Sequence, residues 1–523
     1  MSQLLKSSAA MASATLTSRI LGMVREMVYA RFMGDGWVAG AFQVAFTMPN
    51  LFRRLLGEGA LTAAFIPIFK EKEKTGPAAE MWRAANAVIS GTIVACAAII
   101  GLVLLGVSLA LAWHTFEAKT DLMLRLLRWM FPYMLLVCVT AIFMGMLNAR
   151  GHFFIPAMGA TMLNVVMIAS VIFLAPRMGA ELHEQIFALA AGVLAAGLAQ
   201  AAFQLPSLRG EGFRYAWVSP WRDDTVRRVI RQMLPGTIGV AAFHINVVII
   251  QNLGLWLDTP QSPVIAPFNY AVRLMELPQG VFGISVATYL LPTLSGLATE
   301  KNYAGFRATL RQGMSHLLLV NLLAAVLLVL LAEPIIRLLF EGRRFGPDAT
   351  LRAAWALQCL APSLVAYSLV NVLARAFFAL GDTKTPMQIS IVCLVVNLIC
   401  SVALVQWFRQ GGLGMANTVS SALNCGLLLH ALRRKLKRLD LGQLQASLGA
   451  LALASLVAIG ITWVMLRGWE NWIGHAALPQ RLGAVFVPAT VAAIAYWLVT
   501  LACKVPAVEE MTGTLLARWR QKR

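Results

Sequence analysis

Charge is what this sequence has least of. Asp, Glu, Lys and Arg make up 13% of its 523 residues and 59% are hydrophobic, whereas ordinary soluble domains carry about a quarter charged residues. A chain so poor in charge cannot cover a water-soluble enzyme of this length, and a mean hydropathy of +0.71 marks an integral membrane protein. Acidic residues are the scarcer kind, 24 against 44 Lys and Arg, for a net charge of +20. No GxxxxGK[ST] loop occurs, which excludes a P-loop ATPase as the source of power. The seven cysteines stand singly in apolar runs, without CxxC pairs or histidines at ligand spacing, so they read as small packing residues and no metal site is expected. Of the seven histidines only His244 falls in mid-span, where it reads as a helix–helix hydrogen bonder. A cleavable signal peptide is not expected either, because Arg19 and Arg25 interrupt the first apolar segment.

What the chain does have is long uncharged runs. After Arg83 they cover 84–116, 129–149, 153–176, 185–208, 232–257, 277–299, 312–332, 353–374, 385–408, 410–432, 441–466 and 482–503. Each is close to the roughly 20 residues that carry a helix across a bilayer, and none alternates like a barrel strand. Two less clean segments, about 5–30 and 37–69, precede them, so the expected fold is an all-α polytopic membrane protein of about fourteen transmembrane helices. With the N-terminus placed inside, 26 of the 44 Lys and Arg residues collect in inner segments, 12 in outer ones and 6 within spans. That bias puts both termini in the cytoplasm. The excess positive charge follows from this topology and from anionic lipid, and is no argument for nucleic acid.

Sliding the chain on itself exposes a repeat. At an offset of 230 residues, 131–156 lies over 361–386, and Pro132, Ala149, Gly151 and Pro156 meet Pro362, Ala379, Gly381 and Pro386. The shift spans six helices, an even number, so the halves share one orientation. This divides the chain into a first lobe at 1–210, a second at 211–434 with a basic cytoplasmic linker near 209–228, and a helix pair with a tail at 435–523. Two parallel six-helix lobes enclosing a central cavity is a transporter plan.

The six basic residues within spans are Arg19, Arg25, Arg53, Arg54, Arg273 and Arg375. A central arginine costs about 2.5 to 3.5 kcal/mol on insertion scales, so such residues face water, protein or an anion. Arg375, near a helix end, reads as snorkelling, and Arg54 as pairing with Glu58 four residues on. Arg53 follows Pro49 by four residues, where a kink could turn it inward, and Gly57 lies close by. Arg273 can reach Glu276, with Pro278 and Gly280 next as expected helix breakers. Arg19 and Arg25 lie about 120° apart on a regular helix and share a lumen only through long side chains or a bend near Gly22. Because guanidinium groups grip phosphate in bidentate fashion, the expected cargo is anionic, a phosphate or pyrophosphate.

The stretches LLKSSAAMASATLTSRILGMVREMVYARFMG, AFQVAFTMPNLFRRLLGEGALTAAFIPIF, NYAVRLMELPQGVFGISVATYLLPTLS and RAFFALGDTKTP closely resemble the MurJ (MviN) lipid II flippases of the MOP exporter superfamily, with likeness along the whole chain. The resemblance implies export of lipid II, the undecaprenyl-pyrophosphate-linked disaccharide pentapeptide, across the bacterial inner membrane by alternating access, without bond-making chemistry or a cofactor. Membrane potential or an ion gradient would drive it. Implied substrate-binding residues are Arg19, Arg25, Arg53 and Arg273, with Glu26, Arg54, Glu58 and Glu276 as supporting charges. Lipid II and membrane lipids are the implied partners, and the cell-wall synthesis machinery is a further one. Glu26 stands where the family usually has Asp; Gly40, Thr47 and Val272 stand where enterobacterial relatives carry Asp, Lys and Asp. For the family's ion site in the second lobe, the polar candidates here are Asn246, Gln251, Asn252, Asn371 and Asn397. Alternatives at this point are a flippase for another polyprenyl-pyrophosphate sugar such as an O-antigen unit, a non-transporting membrane scaffold, and, against the sign of the lumen, a cation-extruding antiporter.

Overall fold

The computed structural model describes residues 2–52, 61–221, 223–439 and 442–521, and every regular element among them is helical. Contacts divide the chain into two units, residues 1–266 with 342–345, and residues 267–341 with 346–523.

The first unit contains α1 (Ser2–Met33), α2 (Trp37–Phe52), α3 (Thr62–Thr75), α4 (Ala78–Trp113), α5 (Ala118–Met130), α6 (Tyr133–Ala149), α7 (Phe154–Ala169), the short α8 (Leu182–Gln185), α9 (Phe187–Gly210) and α10 (Asp224–Leu257). α11 (Ile265–Pro278) leads into the second unit. There follow α12 (Ser285–Thr299), α13 (Tyr303–Leu330), α14 (Ala332–Leu339), α15 (Pro347–Leu360), α16 (Ser363–Ala379), α17 (Lys384–Phe408), α18 (Gln410–Leu436), α19 (Gly442–Trp472), α20 (Leu478–Ala502) and α21 (Pro506–Gln521). α10 packs on α2, α3 and α4, so contacts group it with the first unit, whereas the division drawn from the sequence repeat counts it in the second lobe.

Among the described residues eight helices are long and apolar enough to cross a bilayer, and ten when α5–α6 and α15–α16 are each taken as one bent span. The other four spans counted in the sequence fall on α1, α2–α3, α10 and α18. α1, α10 and α18 are 32, 34 and 27 residues long, ample for a crossing; the composition of α1 and α18 is too mixed to certify one, whereas α10 carries no charged residue over 232–257. Fourteen therefore depends on reading these four as spans too. Large apolar side chains point outward from the long helices, as Leu102, Leu456 and Phe486 do. Such a surface is untenable in water and fits acyl chains. None of the seven cysteines is in a disulfide, and five of them are buried.

The 230-residue offset recurs in the coordinates. α5 meets α6 at 42° and α15 meets α16 at 43°, each bend falling at a proline, Pro132 or Pro362, that cannot extend the helical ladder. Phe131 N–H donates to the Leu127 carbonyl and Ala361 N–H to the Leu357 carbonyl, both at 2.8 Å. α6 and α16 then end alike: Gly151 and Gly381 take positive φ, +89° and +73°. His152 N–H and Asp382 N–H close back on the carbonyls of Leu147 and Phe377 at 2.9 Å. This is the Schellman closure, whose left-handed residue favours glycine. Between the two ends Ile142, Phe143, Met146 and Leu147 are buried, and so are Val372, Leu373, Ala376 and Phe377 at the same offset. The first set packs with α3 and α4, the second with α12 and α13.

The corner after each of these helices is tied to the end of a later helix, with the signs exchanged. His152 and Arg150 both lie 2.7 Å from the Glu211 carboxylate at the end of α9, and Arg150 also pairs with Glu73 at 2.5 Å. In the other corner Asp382 accepts from Lys435, in the last turn of α18, at 2.6 Å. The His152 and Arg150 hydrogen bonds hold the Glu211 carboxyl below its usual range. Those from Lys435 and from the Thr385 N–H bring Asp382 down to about 2.

Two predictions follow from packing and from the corners. A methyl on Gly414 would sit 2.9 Å from the Leu360 nitrogen and 3.0 Å from the Ala356 carbonyl oxygen, whereas one on Gly449 meets nothing within 4 Å. Gly414→Ala should therefore cost about 1 to 3 kcal/mol, seen as a lower Tm in detergent, while Gly449→Ala should cost nothing. Asp382→Lys should lower Tm modestly, since a half-exposed pair contributes at most about 1 kcal/mol, and adding Lys435→Asp should restore only part of it, because a lysine cannot accept from the Thr385 N–H.

Candidate substrate-binding site

α1 is one continuous helix through Gly22, and Arg19 and Arg25 lie about 120° apart around a regular helix. Arg19 is exposed. Near it the Asn164 amide on α7 donates to the Ser18 carbonyl at 3.1 Å, which docks α1 on α7. Arg25 is largely enclosed: its guanidinium donates to Glu26 Oε1 at 2.5 Å, with side chains 15% and 11% accessible. Adjacent residues on a helix do not normally face one another, so this pair exists because the arginine folds back along the helix. The guanidinium also lies 5.5 Å from the centre of the Tyr29 ring, a cation–π distance.

Behind Tyr29 runs an aromatic series that sequence reasoning missed. Tyr29 meets Phe42 edge-on at 6.0 Å, Phe42 stacks on Phe46 at 6.1 Å, and Phe46 meets Tyr133 at 6.2 Å. The series joins α1, α2 and α6 and gives Arg25 a stiff backing. The signal was available as aromatic or cationic residues four apart, at 25 and 29 and at 42 and 46.

Arg273, on α11, bridges to Glu276 at 2.9 Å, and both side chains are partly open, 39% and 46% accessible. Pro278 closes α11, and a π-helical turn, Gln279–Ile284, which includes Gly280, carries the chain into α12. The helix is therefore widened rather than broken at this point. Proline removes one ladder bond, and the wider register absorbs the loss without ending the helix. Pro49 likewise lies buried inside α2, which continues to Phe52. Arg53, Arg54, Gly57 and Glu58 lie outside the described residues, and the Arg54–Glu58 pair with them.

Two of the positions where the resemblance implies charged residues have described surroundings. Gly40 is buried against Asp258, whose Oδ2 would come within 2.6 Å of a Cβ there; a carboxylate at 40 would meet a carboxylate already in place. Thr47 turns its hydroxyl back onto the Gln43 carbonyl at 2.8 Å and brings no charge. Of the polar candidates for an ion site, Asn252 donates to Val248 one turn back at 2.8 Å and Asn397 to Ser420 at 3.0 Å. The second of these links α17 to α18.

In chemical terms the described candidates are guanidinium groups, Arg19 and Arg25 in the first unit and Arg273 in the second, and Arg25 and Arg273 are each held by a carboxylate on their own helix. Among the described residues no three His, Cys, Asp or Glu side chains gather as a metal-ligand set. A guanidinium is by its chemistry a donor to anions.

Comparison with known proteins gives one consistent result. The family model described as "Lipid II flippase MurJ" matches residues 29–482. The Burkholderia cenocepacia protein named lipid II flippase MurJ is 31% identical over 479 residues, covering 89% of this chain and 90% of that one. Probable lipid II flippases from Bdellovibrio bacteriovorus and Haemophilus influenzae are 32% and 31% identical, covering 95% and 80% of this chain and 94% and 84% of theirs. Among solved structures, a lipid II flippase MurJ in an inward closed conformation superposes with a TM-score of 0.74 at 20% identity, covering 96% of this chain and 99% of that one. An inward-facing multidrug resistance MATE transporter of the MOP superfamily gives 0.65 at 14% identity, covering 83% and 99%. The chain therefore belongs to the lipid II flippase MurJ family.

Proposed function

We propose that this protein moves lipid II from the cytoplasmic to the periplasmic leaflet of the bacterial inner membrane by alternating access. The observation that carries the reading is the family match over residues 29–482, joined by relatives named as lipid II flippases along most of both chains. Structural neighbours of the same superfamily include inward-facing and outward-facing forms, as a transporter that opens to each side in turn requires. It is a transporter and makes no covalent bond.

Arg19, Arg25, Arg53 and Arg273 hold the pyrophosphate in this reading, and Glu26, Arg54, Glu58 and Glu276 set how firmly each guanidinium is held. The physical support is that a diphosphate cannot enter hydrocarbon without compensating charge, whereas the polyprenyl tail never leaves lipid. Membrane potential or an ion gradient supplies the drive, both termini lie in the cytoplasm, and the cell-wall synthesis machinery supplies and consumes the cargo.

Two experiments test this. In cells depleted of their own flippase, leaflet-resolved measurement should show outer-leaflet lipid II falling roughly tenfold or more with Arg25→Ala or Arg273→Ala, the size expected for losing a charge-assisted contact. Unchanged distribution, or full growth with Arg53→Ala, would favour a scaffold; rescue of O-antigen export alone would favour the other polyprenyl cargo. For orientation, Cys503 is the one exposed cysteine and sits at the end of α20. A membrane-impermeant maleimide should label it only after permeabilisation, and labelling in intact cells would invert the topology.

A further inference from the structure

Asp258 follows α10 directly, in the connector to α11, and is 2% exposed. Its Oδ1 accepts the backbone N–H groups of Val264 and Ile265 at 2.5 and 3.1 Å, so the carboxyl caps the start of α11. Its Oδ2 is buried and accepts from no donor. That oxygen lies against Gly40, where a Cβ would come within 2.6 Å of it.

The surroundings offer it little charge. From α5, the Lys119 ammonium donates to the backbone carbonyls of Trp256 and Asp258 at 2.8 and 2.9 Å and lies 3.4 Å from Glu117. From the turn between α1 and α2 comes Asp35, itself buried. α2, α10 and α11 present Gly40, Leu255 and Ile265. A carboxylate with one oxygen sealed away and undonated is costly, and a proton removes the charge that makes it so. Burial accordingly pushes the Asp258 carboxyl up to about 6, against the two backbone N–H groups and Lys119, with Asp35 adding to the rise.

We propose that Asp258 is a proton-binding site that latches the connector between α10 and α11. With its proton, the carboxyl stays sealed against Gly40 and holds the first turn of α11; without it, the connector turns the carboxylate toward water. The sign follows from linkage. The raised value belongs to the buried arrangement, so proton uptake favours that arrangement, and its advantage is lost as pH rises through about 6. The gap from the ordinary 3.8, about two pH units, allows a shift in the buried-to-open ratio of up to about a hundredfold. The inference stands apart from the identity of the cargo: it concerns a proton and a connector, and is read without lipid II.

The test uses the full-length protein in lipid nanodiscs. Backbone amide hydrogen exchange of residues 258–266, divided by intrinsic rates, is followed from about pH 5 to about pH 8 on either side of the Asp258 value. Protection should be high in acid and fall through about pH 6 in the wild type. Asp258→Asn, a permanent mimic of the protonated acid, should stay protected throughout, and Asp35→Asn should move the midpoint downward. In infrared difference spectra a protonated carboxyl band should titrate with the same midpoint and shift with Asp35→Asn. Protection independent of pH, an Asp258→Asn profile like that of the wild type, or a band titrating only in the ordinary carboxylate range would overturn the proposal. If Asp258→Asn does not fold, the wild-type band and its shift in Asp35→Asn decide.

Discussion

The structure is governed by the cost of placing a full positive charge within reach of hydrocarbon. Every arginine inside a span must be compensated by a carboxylate, an aromatic face, water or an anion. Arg25 meets the demand with Glu26 and the Tyr29 ring, and Arg273 with Glu276. Those contacts fix other choices. Tyr29 must be braced, which brings in Phe42, Phe46 and Tyr133 and binds α1, α2 and α6 together.

A second constraint is duplication. The α5–α6 and α15–α16 pairs, at one offset, reuse a proline bend, a glycine closure and four core positions on the second helix. What the copies do not share is charge: the first corner presents a histidine to a glutamate and the second an aspartate to a lysine. Backbone geometry requires proline and glycine at fixed places and so resists drift. A polar tie requires only opposite signs, and either order supplies them.

The sequence made the spans, the repeat and the uncompensated arginines legible, because each rests on composition or on residues with singular backbone behaviour. Other features depend on rotamers or on distant chain segments. The Arg25–Glu26 pair joins neighbours that point about 100° apart on a helix, and nothing in the letters says the longer side chain folds back. The π-helical turn after Pro278 uses residues that would serve as well in a break. Asp258 sits one residue past an uncharged run, where nothing in the letters marks it as buried; the wall against its Oδ2 is Gly40, more than two hundred residues earlier. The count of fourteen is the mixed case: the long helices are present, but α1 and α18 carry too many polar residues for length and hydropathy to decide.

Pairing also bears on how such a site can let go. An arginine held by no carboxylate would bind a diphosphate with its whole charge and release it slowly, because affinity differences reside mostly in the rate of departure. An arginine already hydrogen-bonded to Glu26 or Glu276 exchanges one anionic partner for another, so the net binding energy is the difference between two charge-assisted contacts. That difference is small enough to reverse when the geometry around the pair changes. In the proposed function, the carboxylates beside the arginines would therefore do more than neutralise charge during insertion: they would set the exchange that a carrier of a strongly anionic head group needs at both faces of the membrane.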